Sequence, residues 1–149
     1  MILHASVVAD DPKSTAEILA QLFGGLALPV GPGDGTWSAV GPEPIGNLIS
    51  VLARGSEFHR SGDHVETRSG TRVRHSAFHL LIETPLSEGE VLSLAEERGC
   101  RAHRARHGAF DVIEFWIDDC LLIEVATPEL SQQYRDTIHS AELRSRIMA

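Results

Sequence analysis

Cysteine is scarce in this chain, basic charge is in deficit and no apolar segment is long. Cysteine occurs twice in 149 residues, at Cys100 and Cys120, and the pair forms no CxxC motif. With no signal-like start in "MILHASVVADDP", both cysteines are expected to be small buried residues of a protein in a reducing cytoplasm. Thirteen Lys and Arg stand against 21 Asp and Glu, a formal charge of -8. That balance argues against nucleic acid or an anionic membrane as a partner. The one local cluster of Arg and His, "RAHRARH" at 101–107, reads as a solvated, alternating edge strand rather than a phosphate site. No apolar run approaches the roughly 20 residues of a membrane-spanning helix. What remains, 42% hydrophobic and 23% charged residues, is the composition of a soluble globular protein, and the length suits a single domain spanning 1–149.

Two segments share an organisation. "ILHASVVA" reads as a strand, followed by a helix over "DDPKSTAEILAQLFGG", with Asp11 as N-cap, Pro12 at the first helical position and glycines at the stop. Ala16, Leu19, Leu22 and Phe23 supply its apolar face. "SAFHLLIE" reads as another strand, followed by "SEGEVLSLAEERG", which opens with a capping box from Ser87 to Glu90 and closes on Gly99. Val91, Leu94 and Ala95 are its apolar face. His4 precedes Gly24 by 20 residues and His79 precedes Gly99 by 20, a common offset of 75. Three strand candidates follow each helix: "LALPV", "TWSAV" and "NLISVL", then "RAHRA", "FDVIEFWI" and "CLLIEVA". Each half is therefore β-α-β-β-β, and Ser50 falls opposite Glu124 when the last strands are aligned. The expected modules run over 1–54 and 73–127. Between them "RGSEFHRSGDHVETRSGTRVR", 54–74, is a lid, an extended hairpin or a disordered connector. In the tail, 128–149, Leu130, Tyr134, Ile138 and Ala141 recur at helical spacing, so it packs on the domain or on a second subunit.

Strand alternation separates the faces. Leu121, Ile123 and Val125 belong on the helix side, which sends Glu124 the other way. Leu3, Ala5 and Val7 do the same for His4 and Ser6, and Phe78 and Leu80 for His79. A carboxylate between Ile123 and Val125 must face water, bind a cation or be protonated, because burying it alone costs several kcal/mol. If the two modules pair about a pseudo-twofold axis, their helix-free faces form one cavity and His4, His79 and Glu124 converge in it. Two imidazoles and a carboxylate hold a divalent metal while leaving positions open for substrate, water or dioxygen. The bland alternative is a pair of hydrogen-bonded structural histidines and a solvated Glu.

By module order and spacing, and through the short motifs "LHASVVADD", "FHLLIE" and "LLIEVATPE", residues 1 to about 128 resemble the vicinal oxygen chelate superfamily, the glyoxalase and bleomycin-resistance-like proteins. The resemblance implies an α+β fold of paired βαβββ modules in a curved, partly open mixed β-barrel around a metal and substrate cavity. It also implies ligands from the first, fourth, fifth and eighth strands, here His4, Ser50, His79 and Glu124. Ser50 departs from the Glu or Gln of glyoxalase I and related epimerases. The remaining His, His, Glu set is similar to that of extradiol dioxygenases and fosfomycin-resistance thiol transferases. "HSAF" at His75 looks like a fifth-strand motif of some relatives. Helix spacing nonetheless favours His79 as the ligand, which makes His75 a catalytic or pocket candidate or a surface histidine.

These readings imply a divalent ion (Fe, Mn, Zn or Ni), a small-molecule substrate bound through paired oxygens, and a homodimer. Ser6, Ser50 and Trp116 are expected to line the pocket. Glu114, on the face of Trp116, is a general base, an orienting residue or a solvated Glu beside a turn. His59 and His64 of the connecting segment reach a substrate or stay exposed. The competing reading is a metal-free, drug-sequestering protein of the bleomycin-resistance kind, with no turnover.

Overall fold

The computed structural model describes residues 3–30, 35–43 and 47–140. It is α+β and divides into two compact units, 1–78 and 79–149. Each contains one βαβββ module with its own four-stranded sheet. Among the described residues no helix is long and apolar enough to cross a membrane.

The first unit runs β1 (His4–Ala9), α1 (Pro12–Phe23), β2 (Leu26–Pro29), β3 (Trp37–Val40) and β4 (Leu48–Ala53), with sheet order β1-β4-β3-β2. β1 and β4 are parallel and the other pairs antiparallel. Asp11 caps α1 by accepting from the Ser14 N–H at 3.0 Å. Gly24 ends it in the left-handed region at φ 67°. Ala16, Ile18, Leu19, Leu22 and Phe23 are buried. Each larger side chain among them contributes roughly 1.5–3 kcal/mol, so packing on the sheet, more than propensity, holds this helix. Leu3, expected on the same side as Val7, is instead 58% exposed because it precedes the paired part of β1.

Gly25 lets the chain turn from α1 into β2. A Cβ there would lie 2.0 Å from the Val40 carbonyl oxygen, which the sheet fixes in place. Gly25→Ala is therefore expected to destabilise the protein by about 1–3 kcal/mol, the cost of overpacking, as measured by thermal or urea denaturation.

The second unit runs β7 (His79–Glu83), α2 (Glu88–Glu97), β8 (Arg101–His107), β9 (Phe110–Ile117) and β10 (Leu121–Ala126), with order β7-β10-β9-β8. β7 starts at His79, later than the "SAFH" of the sequence reading. The capping box of α2 is present: Ser87 Oγ accepts from the Glu90 N–H while Glu90 Oε2 accepts from the Ser87 N–H at 2.7 Å. Val91, Leu94 and Ala95 are buried beneath it. Cys120 is buried, but Cys100, expected to be buried too, is only partly covered at the end of the α2 turn. The tail forms α3 (Pro128–Ile138), which packs on its own unit. Leu130 is buried, Tyr134 meets Phe110 edge-on at 5.0 Å, and Gln133 Oε1 accepts from the Asp111 N–H at 3.0 Å. Arg135 pairs with Glu83. Ala141 lies outside the described residues.

The register makes the internal repeat explicit. Ser6, two residues after His4, pairs with Ser50, and Ser50 pairs with Ser38. Leu81, two residues after His79, pairs with Glu124, and Glu124 pairs with Glu114. Ser50 and Glu124 are thus equivalent, as are Ser38 and Glu114.

Of the three forms open to the connecting segment, the chain adopts the hairpin, β5 (Ser56–Ser61) with β6 (His64–Ser69), a separate two-stranded sheet. Its return is anchored on Asp10, which accepts from Arg54 Nε at 2.7 Å and Arg72 at 3.1 Å, with Arg74 at 3.5 Å. The Arg54 side chain is only 3% exposed.

Candidate functional site

In the second unit, β10 alternates as its sequence requires. Leu121, Ile123 and Val125 are buried toward the helix, and Glu124 points to the opposite face at only 6% exposure. Two imidazole nitrogens stand near its carboxylate, His107 Nδ1 at 3.4 Å from Oε1 and His79 Nε2 at 3.8 Å from Oε2. Both separations exceed the about 2.7–3.2 Å of a good N–H···O hydrogen bond. The longer one, between His79 Nε2 and Glu124 Oε2, suits two donors that share an ion at about 2.0–2.2 Å from each.

A second carboxylate lies beside the first. Glu114, opposite Glu124 on β9, is 3.1 Å from His107 Nε2 through Oε1 and accepts from the Trp116 indole N–H at 3.1 Å through Oε2. His103 Nε2 is 3.6 Å from the same Oε2. Burial acts to raise the Glu114 pKa, but the hydrogen bonds from His107 and Trp116, with the nearby charge of His103, bring it below its ordinary 4.5. A carboxylate with a depressed folded pKa contributes stability that is complete above its unfolded value and is lost as pH falls through the folded one. The melting temperature is therefore expected to fall as pH drops below about 4.5, and to fall less steeply in Glu114→Gln. Equal slopes in acid melting curves would contradict this.

His103 and His107 lie in "RAHRARH", the stretch expected to be a solvated edge strand. β8 is indeed the sheet edge, but its two faces differ. Arg104 and Arg106 turn to the helix side and pair with Asp111 at 2.8 and 3.0 Å. His103 pairs across the ladder with Glu114, and His107 with Phe110 around the Gly108–Ala109 turn. The same two-residue alternation that placed Glu114 and Trp116 contained this signal. Beside Glu114, Arg101, His103, Trp116 and Asp119 line an open depression of about 550 Å³.

In the first unit, His4 Nε2 is 3.1 Å from Ser50 Oγ, which is 3.2 Å from Ser38 Oγ. This row of hydroxyls occupies the positions of Glu124 and Glu114, so the first module holds its imidazole with neutral groups. Ser6 lines a cleft of about 160 Å³ with Val8, Leu52, Ser56 and Phe58. His75 is exposed in the irregular 71–78 segment. His59 and His64 stay on the hairpin beside Glu57 and Glu66, at 3.1 and 3.6 Å.

His79 and Glu124 thus belong to one unit and are within 4 Å of each other, whereas His4 belongs to the other unit. Among the described residues no three His, Cys, Asp or Glu side chains are already closed into a metal cage. The donor types are nonetheless those of a borderline metal, and the buried Glu124 carboxylate is the group a cation would compensate.

No protein-family model matches this chain, and no curated protein sequence matches it. Solved structures do. Lactoylglutathione lyase from Agrobacterium tumefaciens is 14% identical, with a TM-score of 0.57 over 87% of this chain and 95% of that one. The fosfomycin resistance protein FosX from Listeria monocytogenes is 15% identical, with a TM-score of 0.54 over 87% and 94%. An integron cassette protein from the mobile metagenome of V. cholerae is 18% identical, with a TM-score of 0.53 over 86% and 94%. At these identities the likeness is one of fold: the chain has the paired βαβββ fold of the vicinal oxygen chelate, glyoxalase-like proteins.

Proposed function

We propose that this chain is a metal-dependent enzyme acting on a small substrate held through paired oxygens, with His79 and Glu124 as metal ligands. The observation that carries the reading is Glu124. It is a buried carboxylate whose Oε2 stands 3.8 Å from His79 Nε2, too far for a good hydrogen bond and at a spacing that suits shared ligation, while His107 lies 3.4 Å from its other oxygen. A divalent ion there would supply Lewis-acid stabilisation to charge developing on substrate oxygens.

The chain's own residues fill the remaining roles. Trp116 gives the depression beside Glu114 an aromatic wall, and Arg101 gives it a cationic edge. Glu114 has one oxygen facing His107 and the other engaged by Trp116, so its part is to orient neighbours rather than to accept a substrate proton. Ser6 offers a hydroxyl at the apolar cleft of the first module, and Ser50 is committed to His4. His75 is exposed in the segment that leads into β7, close in sequence to His79, and is a candidate to reach substrate there.

The test is the metal content of protein purified without chelators. Wild type is expected to retain a divalent ion that His79→Ala and Glu124→Ala lose. A His4→Ala arm tests the third ligand expected from the sequence. Wild type no richer in metal than the variants would sink the reading and leave the metal-free, drug-sequestering alternative.

A further inference from the structure

The structure points to a role for His107, a residue outside the expected ligand set. We propose that His107 is the positioning residue of the Glu124 centre: it couples Glu114 to Glu124 and fixes which carboxylate oxygen is presented to an ion. This rests on the metal reading above and extends it to a residue that no motif singled out.

His107 comes from β8, at the tight turn into β9, and Glu124 from the neighbour of β9 on its other side, so the imidazole reaches across β9. Its two nitrogens face different carboxylates, Nε2 at 3.1 Å from Glu114 Oε1 and Nδ1 at 3.4 Å from Glu124 Oε1. Glu114 is itself held by the Trp116 indole at 3.1 Å. The ring plane is steadied by Phe110, whose centroid lies 6.1 Å away, and Phe110 is in turn met by Tyr134 of α3.

The line from Trp116 through Glu114 and His107 therefore ends on one oxygen of Glu124. The other oxygen, Oε2, is the one nearer His79 Nε2. Groups that hold a ligating carboxylate in this way typically account for about 10- to 100-fold in metal affinity, because they remove the freedom the ligand would otherwise lose on binding. The cost of losing such a group falls on the ion rather than on the fold.

Mn²⁺ titration of the full chain by calorimetry, with thermal melts as a folding control, tests the proposal. His107→Phe keeps a ring beside Phe110 and removes both nitrogens. It is expected to weaken Mn²⁺ binding about 10- to 100-fold, while His107→Gln recovers part of the loss. In the double variant with Glu114→Ala, the losses are expected to be far from additive, because the two residues act in series. A purely structural role would instead lower the melting temperature and leave the affinity of the folded fraction unchanged.

Wild-type binding that survives intact in folded His107→Phe would overturn the positioning role and leave the metal reading standing. A loss as large as that of Glu124→Ala, with no recovery in His107→Gln, would also overturn it, by making His107 a ligand. Failure of wild type to bind Mn²⁺ would remove the metal reading and this proposal together.

Discussion

Asp10→Ala is expected to lower stability by roughly 2–4 kcal/mol. Arg54 is the reason: its side chain is 3% exposed and its guanidinium donates to Asp10 at 2.7 Å. Removing the carboxylate leaves a buried cation without its main partner, a change that costs about 3–5 kcal/mol for a fully buried pair. Asp10 is itself 34% exposed, so water recovers part of that. At about 2–4 °C per kcal/mol for a chain of this size, the melting temperature should drop by roughly 4–16 °C. Arg72→Ala removes a donor that is 69% exposed and is expected to cost under about 1 kcal/mol.

Arg54 also holds Asp10 below its ordinary pKa of 3.8, outweighing the opposing effect of burial, with Arg72 and Arg74 adding to it. The pair's contribution is thus complete above about pH 3.8 and is lost as pH falls through the lower folded value. Thermal melts of the two variants against wild type settle the matter, and equal small losses would contradict the account. The anchor is also topological, because Arg54 precedes the β5–β6 hairpin, Arg72 and Arg74 follow it, and all three meet Asp10 at the end of β1.

Glu124→Ala is expected to abolish ion binding, with affinity falling by more than about 100-fold. Outer partners of a metal site are worth about 10- to 100-fold, and a ligating carboxylate that also supplies the charge must exceed them. The mechanism is electrostatic: a 6% exposed carboxylate among imidazoles offers an ion a negative charge in a site of low dielectric. Alanine removes the carboxylate nearest His79, and Glu114 is already engaged by His107 and Trp116. Glu83→Ala on β7, whose side chain is 68% exposed and pairs with Arg135, serves as the matched control and should leave affinity unchanged.

Periodicity made most of the fold legible. Asp11, Pro12 and Gly24 bounded α1, and Ser87 with Glu90 bounded α2, because capping chemistry is local and needs no tertiary information. The match of Ser50 with Glu124 came from the repeat alone, and the strand register places both two residues beyond their histidines. Two kinds of contact were not legible. The Asp10 cluster joins residues 44 to 64 positions apart, a distance at which no sequence period operates. His107 was hidden by composition: in "RAHRARH" the arginines suggested a solvated strand, while alternation gives the two histidines a face of their own. Its link to Glu124 crosses an intervening strand, which only the sheet order reveals.

The central claim is that Glu124 is a buried ligand rather than a solvated or structural acid. Thermal melting with and without added Mn²⁺, on chelator-treated wild type and Glu124→Gln, tests it most directly. Gln keeps the shape and removes the charge. An ion at 100 times its dissociation constant adds about 2.7 kcal/mol to the state that binds it, or roughly 5–11 °C at 2–4 °C per kcal/mol. Wild type is expected to gain that shift and Glu124→Gln to show none. A wild type whose melting is unmoved by the ion, or a Glu124→Gln that gains the same shift, would contradict the claim.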